Sequence, residues 1–141
     1  MTIETNNPEE TIELGKRLGL GLTKGTIIGF FGDLGSGKTT MIKGIAQGLG
    51  VKDLVKSPSF VVVTEYQGKF PVYHIDLYRI NKPDELLEIG FFDYLYGDGV
   101  SLVEWAERAG NLLPDNAVKI KIEIINHNQR RITITNLSQP L

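Results

Sequence analysis

One octapeptide restricts the possible folds of this chain more than any other feature: Gly32-Asp33-Leu34-Gly35-Ser36-Gly37-Lys38-Thr39. It fits G-x-x-x-x-G-K-[ST] at every fixed position. Ahead of it, Thr26-Ile27-Ile28-Gly29-Phe30-Phe31 is a short apolar run bounded by glycine, the pattern of a buried strand. Behind it, Met41, Ile42, Ile45 and Leu49 recur at helical spacing from Lys38 onward, and Gly50 ends the segment. The first third of the chain therefore reads as strand, glycine-rich loop and helix.

That order has a chemical purpose. A polyphosphate needs several backbone N–H groups converging on its oxygens, which requires a tight turn of small residues. The helix that follows directs the positive end of its dipole at the same charge. Asp33, Leu34, Gly35, Ser36, Gly37, Lys38, Thr39 and Thr40 are thus expected to cradle a nucleoside triphosphate, ATP in preference to GTP. Lys38 would reach the β- and γ-phosphates, and the Thr39 hydroxyl would ligate Mg²⁺.

The remaining elements suit one α/β domain spanning residues 1–141. Asn7-Pro8-Glu9-Glu10 reads as a helix start with an Asn cap and Glu at the capping-box position, and Ile12, Leu14, Leu18 and Leu22 supply an apolar stripe. Phe60–Tyr66 and Phe70–Asp76 read as adjoining strands around Gln67-Gly68-Lys69. A short helix is expected over Pro83–Ile89, then an aromatic segment, Phe91–Tyr96, expected mainly in the core. Val100–Val103 reads as a second buried strand that ends at Glu104. Ala117–Ile125 and Arg131–Thr135 alternate apolar and polar residues about Asn126–Gln129, a hairpin with one wet face. The expected architecture is a three-layer P-loop NTPase-like fold with a mixed central sheet and a C-terminal antiparallel hairpin.

With 17 acidic residues against 15 Lys and Arg, the formal charge is -2, and the two signs are interspersed. Strong autonomous nucleic-acid binding, which needs clustered cations, is disfavoured. Arg130 and Arg131 form too small a patch to alter this and read as solvated strand-edge charge. No cysteine is present, which removes disulfides, thiolate nucleophiles and Cys-ligated zinc. The polar, acidic start does not resemble a signal peptide and no apolar run is long enough for a bilayer, so a cytoplasmic location without membrane association is expected.

P-loop hydrolases place an acid at the end of another buried strand, where it holds Mg²⁺ directly or through water. Val100-Ser101-Leu102-Val103-Glu104 presents one such acid and Val72-Tyr73-His74-Ile75-Asp76 another, with Glu104 favoured for the metal. His74 and Asp76 are two residues apart and share one strand face. Trp105 is expected partly in the core, with stacking at the nucleotide site or a partner surface as its alternative.

Four segments together resemble the bacterial TsaE (YjeE-type) ATPases: Gly32–Thr40, Ser57-Pro58-Ser59-Phe60, His74-Ile75-Asp76-Leu77-Tyr78-Arg79 and Glu104-Trp105-Ala106-Glu107-Arg108. They stand in that family's order and spacing, with Ser36 where Ala is frequent and Ser59 where Thr is frequent. The resemblance implies a part in making threonylcarbamoyladenosine in tRNA, with TsaB and TsaD as partners and tRNA met only through their complex. It implies phosphate binding by Lys38, metal ligation by Thr39 and Glu104, a switch at Ser57–Phe60, and a catalytic role for Asp76 near the γ-phosphate. Trp105 would sit beside the nucleotide.

Three other readings compete. Asn81-Lys82-Pro83-Asp84 matches the guanine-reading N-K-x-D of GTPases, but no Asp-x-x-Gly lies between it and the phosphate loop, and helix capping by Asn81 or Asp84 explains it. A small-molecule kinase would need an Arg-bearing lid, and none of the five arginines falls in a plausible one. A nucleotide-holding module that hydrolyses slowly without partners stays open, since no arginine finger is evident.

Overall fold

The computed structural model describes residues 1–55, 63–138 and 141. Its strands are β1 (Thr2–Thr5), β2 (Ile27–Phe31), β3 (Val63–Gln67), β4 (Pro71–Asp76), β5 (Val100–Glu104), β6 (Val118–Ile124) and β7 (Arg130–Thr135). The helices are α1 (Pro8–Leu20), α2 (Lys38–Gly48), α3 (Glu85–Glu88) and α4 (Phe91–Leu95), with a 3₁₀ segment over Ala106–Leu112. All seven strands form one sheet in the order β1-β7-β6-β2-β5-β4-β3. The four central strands, β6, β2, β5 and β4, run parallel, while β3, β7 and β1 pair antiparallel with their neighbours.

The expected mixed α/β architecture is present, with helices on both sides of the sheet. Ile28 and Phe30 of β2, Val100 and Leu102 of β5 and Ile120 and Ile122 of β6 pack with Leu14 and Leu18 of α1 and Met41, Ile42 and Ile45 of α2. On the other face Ile27, Ile75 and Val103 pack with Leu86, Phe91, Leu95 and Leu113. β2 and β5 are covered on both sides, which explains their nearly unbroken apolar sequences. The C-terminal hairpin keeps one wet face: Val118, Ile120 and Ile122 are buried while Lys119 and Lys121 are exposed.

Helix α1 starts as its sequence predicts, with the Asn7 side chain accepting from the Glu10 backbone N–H at 2.8 Å. The reciprocal half of the capping box falls one residue upstream, because Glu10 Oε1 accepts from the Asn6 N–H, also at 2.8 Å. One strand has no counterpart among the sequence expectations. Thr2–Thr5 pairs with Thr133–Arg130 and becomes the sheet edge, so Arg130 and Arg131 are not on an edge strand.

The two long helices touch through their backbones. A Cβ added at Gly44 would stand 2.1 Å from the Ile12 carbonyl oxygen, and one at Gly15 would stand 2.5 Å from that of Met41. Gly19 and Gly48 repeat the contact one turn further along. Only hydrogen fits at these four positions, and the seam fixes the axis of α2, whose first residues are Lys38 and Thr39. Gly44→Ala forces carbonyl and methyl into the same space and is expected to destabilise the fold by about 3 kcal/mol. Urea unfolding checks this, and a loss no larger than that of an exposed helical substitution would refute the seam.

Candidate functional site

The phosphate loop lies between β2 and α2, with Gly35 and Gly37 at φ of 79° and 108°. A side chain is strained in that left-handed region, so the loop's curvature rests on glycine. Asp33, Leu34 and Gly35 are exposed at the tip, whereas Ser36 and Lys38 are buried. Lys38 Nζ donates to the Gly32 carbonyl, reaches that of Asp33 at 3.4 Å, and lies 3.5 Å from the centre of the Trp105 ring. Burial lowers the Lys38 pKa from its ordinary value, opposed by the nearby carboxylates of Glu107, Glu104, Asp76 and Asp33.

The two acids that end buried strands arrive together. In the parallel pairing of β4 with β5, Asp76 stands opposite Glu104 and His74 opposite Leu102. His74, Asp76 and Glu104 thus lie on the sheet face that carries α2. Glu104 is only 3% exposed. Its Oε1 accepts from the Thr39 hydroxyl at 3.0 Å, and its Oε2 lies 2.5 Å from His74 Nε2. His74 and Asp76 do share a face, but the imidazole bonds to the neighbouring strand's carboxylate. The other ring nitrogen, Nδ1, is buried and has no hydrogen-bond partner among the described residues.

Asp76 accepts from the Tyr78 backbone N–H at 2.9 Å through Oδ1. Burial holds its pKa above the ordinary value, with Glu104 adding to the rise and the Tyr78 N–H, His74 and Lys38 opposing it. Trp105 is half-buried, adopts φ 56° and ψ 43°, and packs against Tyr78 with ring centres 5.2 Å apart. Left-handed backbone at a tryptophan costs on the order of 1–3 kcal/mol, and such strain is concentrated at functional positions.

These side chains surround a cavity of about 320 Å³ lined by Leu34–Thr40, Asp76, Tyr78, Glu104 and Trp105. Among the described residues, every sequence-assigned site residue except Asp33 lines it, and Asp33 belongs to an adjacent groove with Gly32 and Trp105. Ser57–Phe60, the expected switch, lies outside the described residues. Asn81–Asp84 is exposed and does not line the cavity. Asp84 holds the cap position of α3 without a side-chain cap bond, so the capping explanation is met there in place only.

The donor set suits Mg²⁺. A buried carboxylate and a hydroxyl within 3.0 Å of each other offer hard oxygen ligands. Among the described residues no group of three or more His, Cys, Asp or Glu could hold a metal by itself. Mg²⁺ in nucleotide sites takes one or two carboxylates and draws its other ligands from phosphate and water.

Comparison with known proteins identifies the family. The family described as "Threonylcarbamoyl adenosine biosynthesis protein TsaE" matches residues 5–132. The chain belongs to the TsaE family. A Bacillus subtilis tRNA threonylcarbamoyladenosine biosynthesis protein TsaE is 42% identical over 132 residues, which cover 93% of this chain and 82% of that protein. The TsaE of Treponema pallidum is 33% identical, with 95% and 99% covered. The crystal structure of Bacillus subtilis YdiB superposes with a TM-score of 0.82 at 37% identity, covering 95% of this chain and 83% of that one. No described helix is long and apolar enough to cross a membrane.

One feature that sequence reasoning placed wrongly is Arg130. It does not project into solvent from a sheet edge; its guanidinium donates to the carbonyls of Ser36 and Gly35 in the phosphate loop.

The raised Asp76 pKa fixes the sign of a stability effect. Folded chains hold the Asp76 proton more tightly than unfolded ones, so stability falls as pH rises from the unfolded value of 3.8 through the folded pKa. Asp76→Asn keeps the acceptor for Tyr78 and removes the charge. It is expected to raise the urea midpoint at about pH 7, with the gain shrinking as pH approaches about 4. A midpoint lower than wild type at neutral pH would overturn this assignment.

Proposed function

We propose that this chain is a Mg²⁺-dependent ATPase that supports threonylcarbamoyladenosine formation by acting on a TsaB–TsaD transferase complex, meeting tRNA only through that complex. The observation that carries the reading is the 3.0 Å contact of Thr39 Oγ1 with Glu104 Oε1 at the mouth of a glycine-built phosphate loop. Membership of the TsaE family supplies the tRNA-modification context.

Each residue then has a defined task. The loop N–H groups and the start of α2 hold phosphate oxygens. Lys38 exchanges the carbonyls of Gly32 and Asp33 for the β- and γ-phosphates. Thr39 and Glu104 would hold Mg²⁺, which would supply charge neutralisation for the transferring phosphoryl group. His74 donates to Glu104 Oε2 and so keeps Oε1 turned toward Thr39. Asp76, across the β4–β5 pairing from Glu104, accepts a hydrogen bond from the attacking water. A carboxylate with a raised pKa is the more basic acceptor for that proton.

Lys38→Ala is expected to lower ATP turnover on the order of 100-fold or more by removing a preorganised charge from the transferring phosphoryl group. Asp76→Ala is expected to leave nucleotide affinity within about threefold of wild type and cut turnover about 100-fold. Normal hydrolysis by Asp76→Ala would remove its catalytic assignment. The decisive assay measures ATP hydrolysis by the pure chain, alone and with TsaB, TsaD and tRNA, using Lys38→Ala as blank. Stimulation by the partners supports the reading, and robust turnover unaffected by them overturns it.

A further inference from the structure

Arg130 joins two parts of the chain that its sequence position does not connect. Nε donates to the Ser36 carbonyl at 2.8 Å, and Nη2 donates to that of Gly35 at 3.3 Å. Nη1 gathers the carbonyls of Asn126, His127 and Gln129 at 2.8, 3.3 and 2.9 Å. All three guanidinium nitrogens are thereby committed, two to the phosphate loop and one to the β6–β7 turn. The turn is braced independently of Arg130. Asn126 Oδ1 accepts from the N–H groups of Asn128 and Gln129, and Gln129 Nε2 donates to Asn6 Oδ1 at the entry to α1.

In a trans peptide the carbonyl and the following N–H point in opposite directions. The Ser36 carbonyl faces Arg130, so the Gly37 N–H in the same peptide faces away from it. A phosphate loop works only with N–H groups turned inward and carbonyls outward, because an inward carbonyl repels the oxyanion. The planar, five-donor guanidinium can satisfy two adjacent carbonyls and a second segment at once, which a lysine ammonium cannot do in that geometry.

We propose that Arg130 is a positioning residue for the phosphate loop, clamping the Gly35 and Ser36 carbonyls to the β6–β7 turn so that the loop is preset for nucleotide phosphates. Its affinity consequence rests on the reading of this loop as an ATP site; its structural consequence does not. Arg130 touches the outer side of the loop and holds its shape, leaving the phosphates to the N–H groups and Lys38.

The test uses the full chain with Arg130→Ala and Arg130→Lys. Amide hydrogen exchange without nucleotide reads the clamp, and ADP binding with Mg²⁺, followed by the fluorescence of the single tryptophan Trp105, reads its use. Both variants are expected to speed exchange across Gly35–Lys38 while the β6 and β7 amides keep wild-type protection. Both are expected to weaken ADP about tenfold, the loss of a charged hydrogen-bonding anchor, and to raise KM for ATP more than they lower kcat.

Full recovery of ADP affinity by Arg130→Lys would overturn the clamp in favour of simple charge attraction. Unchanged loop exchange in both variants would overturn it outright. Exchange that rises equally throughout β6 and β7 would do the same, marking Arg130 as a fold-stabilising residue. If wild type binds no ADP while the variants still loosen the loop, the ATP assignment fails and the clamp stands.

Discussion

The backbone contact between α1 and α2 is the constraint on which the site depends. Helices normally pack 8–10 Å apart because side chains separate them. Here the glycine pairs let the Gly15 and Gly44 turns meet carbonyl to Cα, so α2 has little freedom to tilt or slide. The cost is the low helix propensity of four glycines, about 1 kcal/mol each relative to alanine. What is gained is a rigidly aimed N-terminus carrying Lys38 and Thr39. The same seam ties α1 to the site from behind: the turn before α1 holds Asn6, which accepts from Gln129 in the turn that Arg130 binds.

Polar groups gather where the parallel strands end, and their burial opposes stability. Glu104 is enclosed, Asp76 carries a pKa raised by burial, and Lys38 one lowered by it. Each would be less costly in water. Instead Glu104 is satisfied on both oxygens, by a hydroxyl from α2 and an imidazole from β4. The carboxylate therefore links the helix to two neighbouring strands. Pairing of Asp76 across from Glu104 brings two like charges close, an arrangement a purely structural sheet would avoid. Lys38 already stands near both carboxylates and offsets part of their repulsion, and a Mg²⁺ held as proposed above would add to that offset.

Much of this was legible because its determinants are local. The octapeptide, its flanking strand and the periodicity of α2 lie within one stretch of chain, and Glu104 follows an apolar run in plain view. Asp76 and Glu104 were each readable as strand-end acids, but that their strands pair in parallel and bring the two together depends on the sheet order. Other features depend on contacts across long sequence separations. Thr2–Thr5 is too short and polar to signal a strand, and it is defined by pairing with β7. Arg130 looked like edge charge because nothing local predicts a bond to residues 94 and 95 positions earlier. The glycine seam did leave a trace, since Gly15 and Gly19 repeat at i, i+4, as do Gly44 and Gly48. That spacing indicates close helix contact only once the two helices are known to be partners.

Trp105 connects the resting site to the segment beyond it. Its left-handed backbone turns the chain sharply from β5 into the 3₁₀ segment, at a conformational cost that neighbouring contacts must offset. Those contacts are Tyr78 against the ring, Arg108 5.6 Å from its centre, and Lys38 Nζ nearest at 3.5 Å. A desolvated cation over an indole contributes about 2 kcal/mol. On the ATP reading proposed above, Lys38 would turn from Trp105 to phosphate, leaving Tyr78, Arg108 and the apolar cluster against which Trp105 packs to hold the strained residue. Under that reading, occupancy of the loop and the stability of the turn after Glu104 are linked through the single contact of Lys38 with the Trp105 ring.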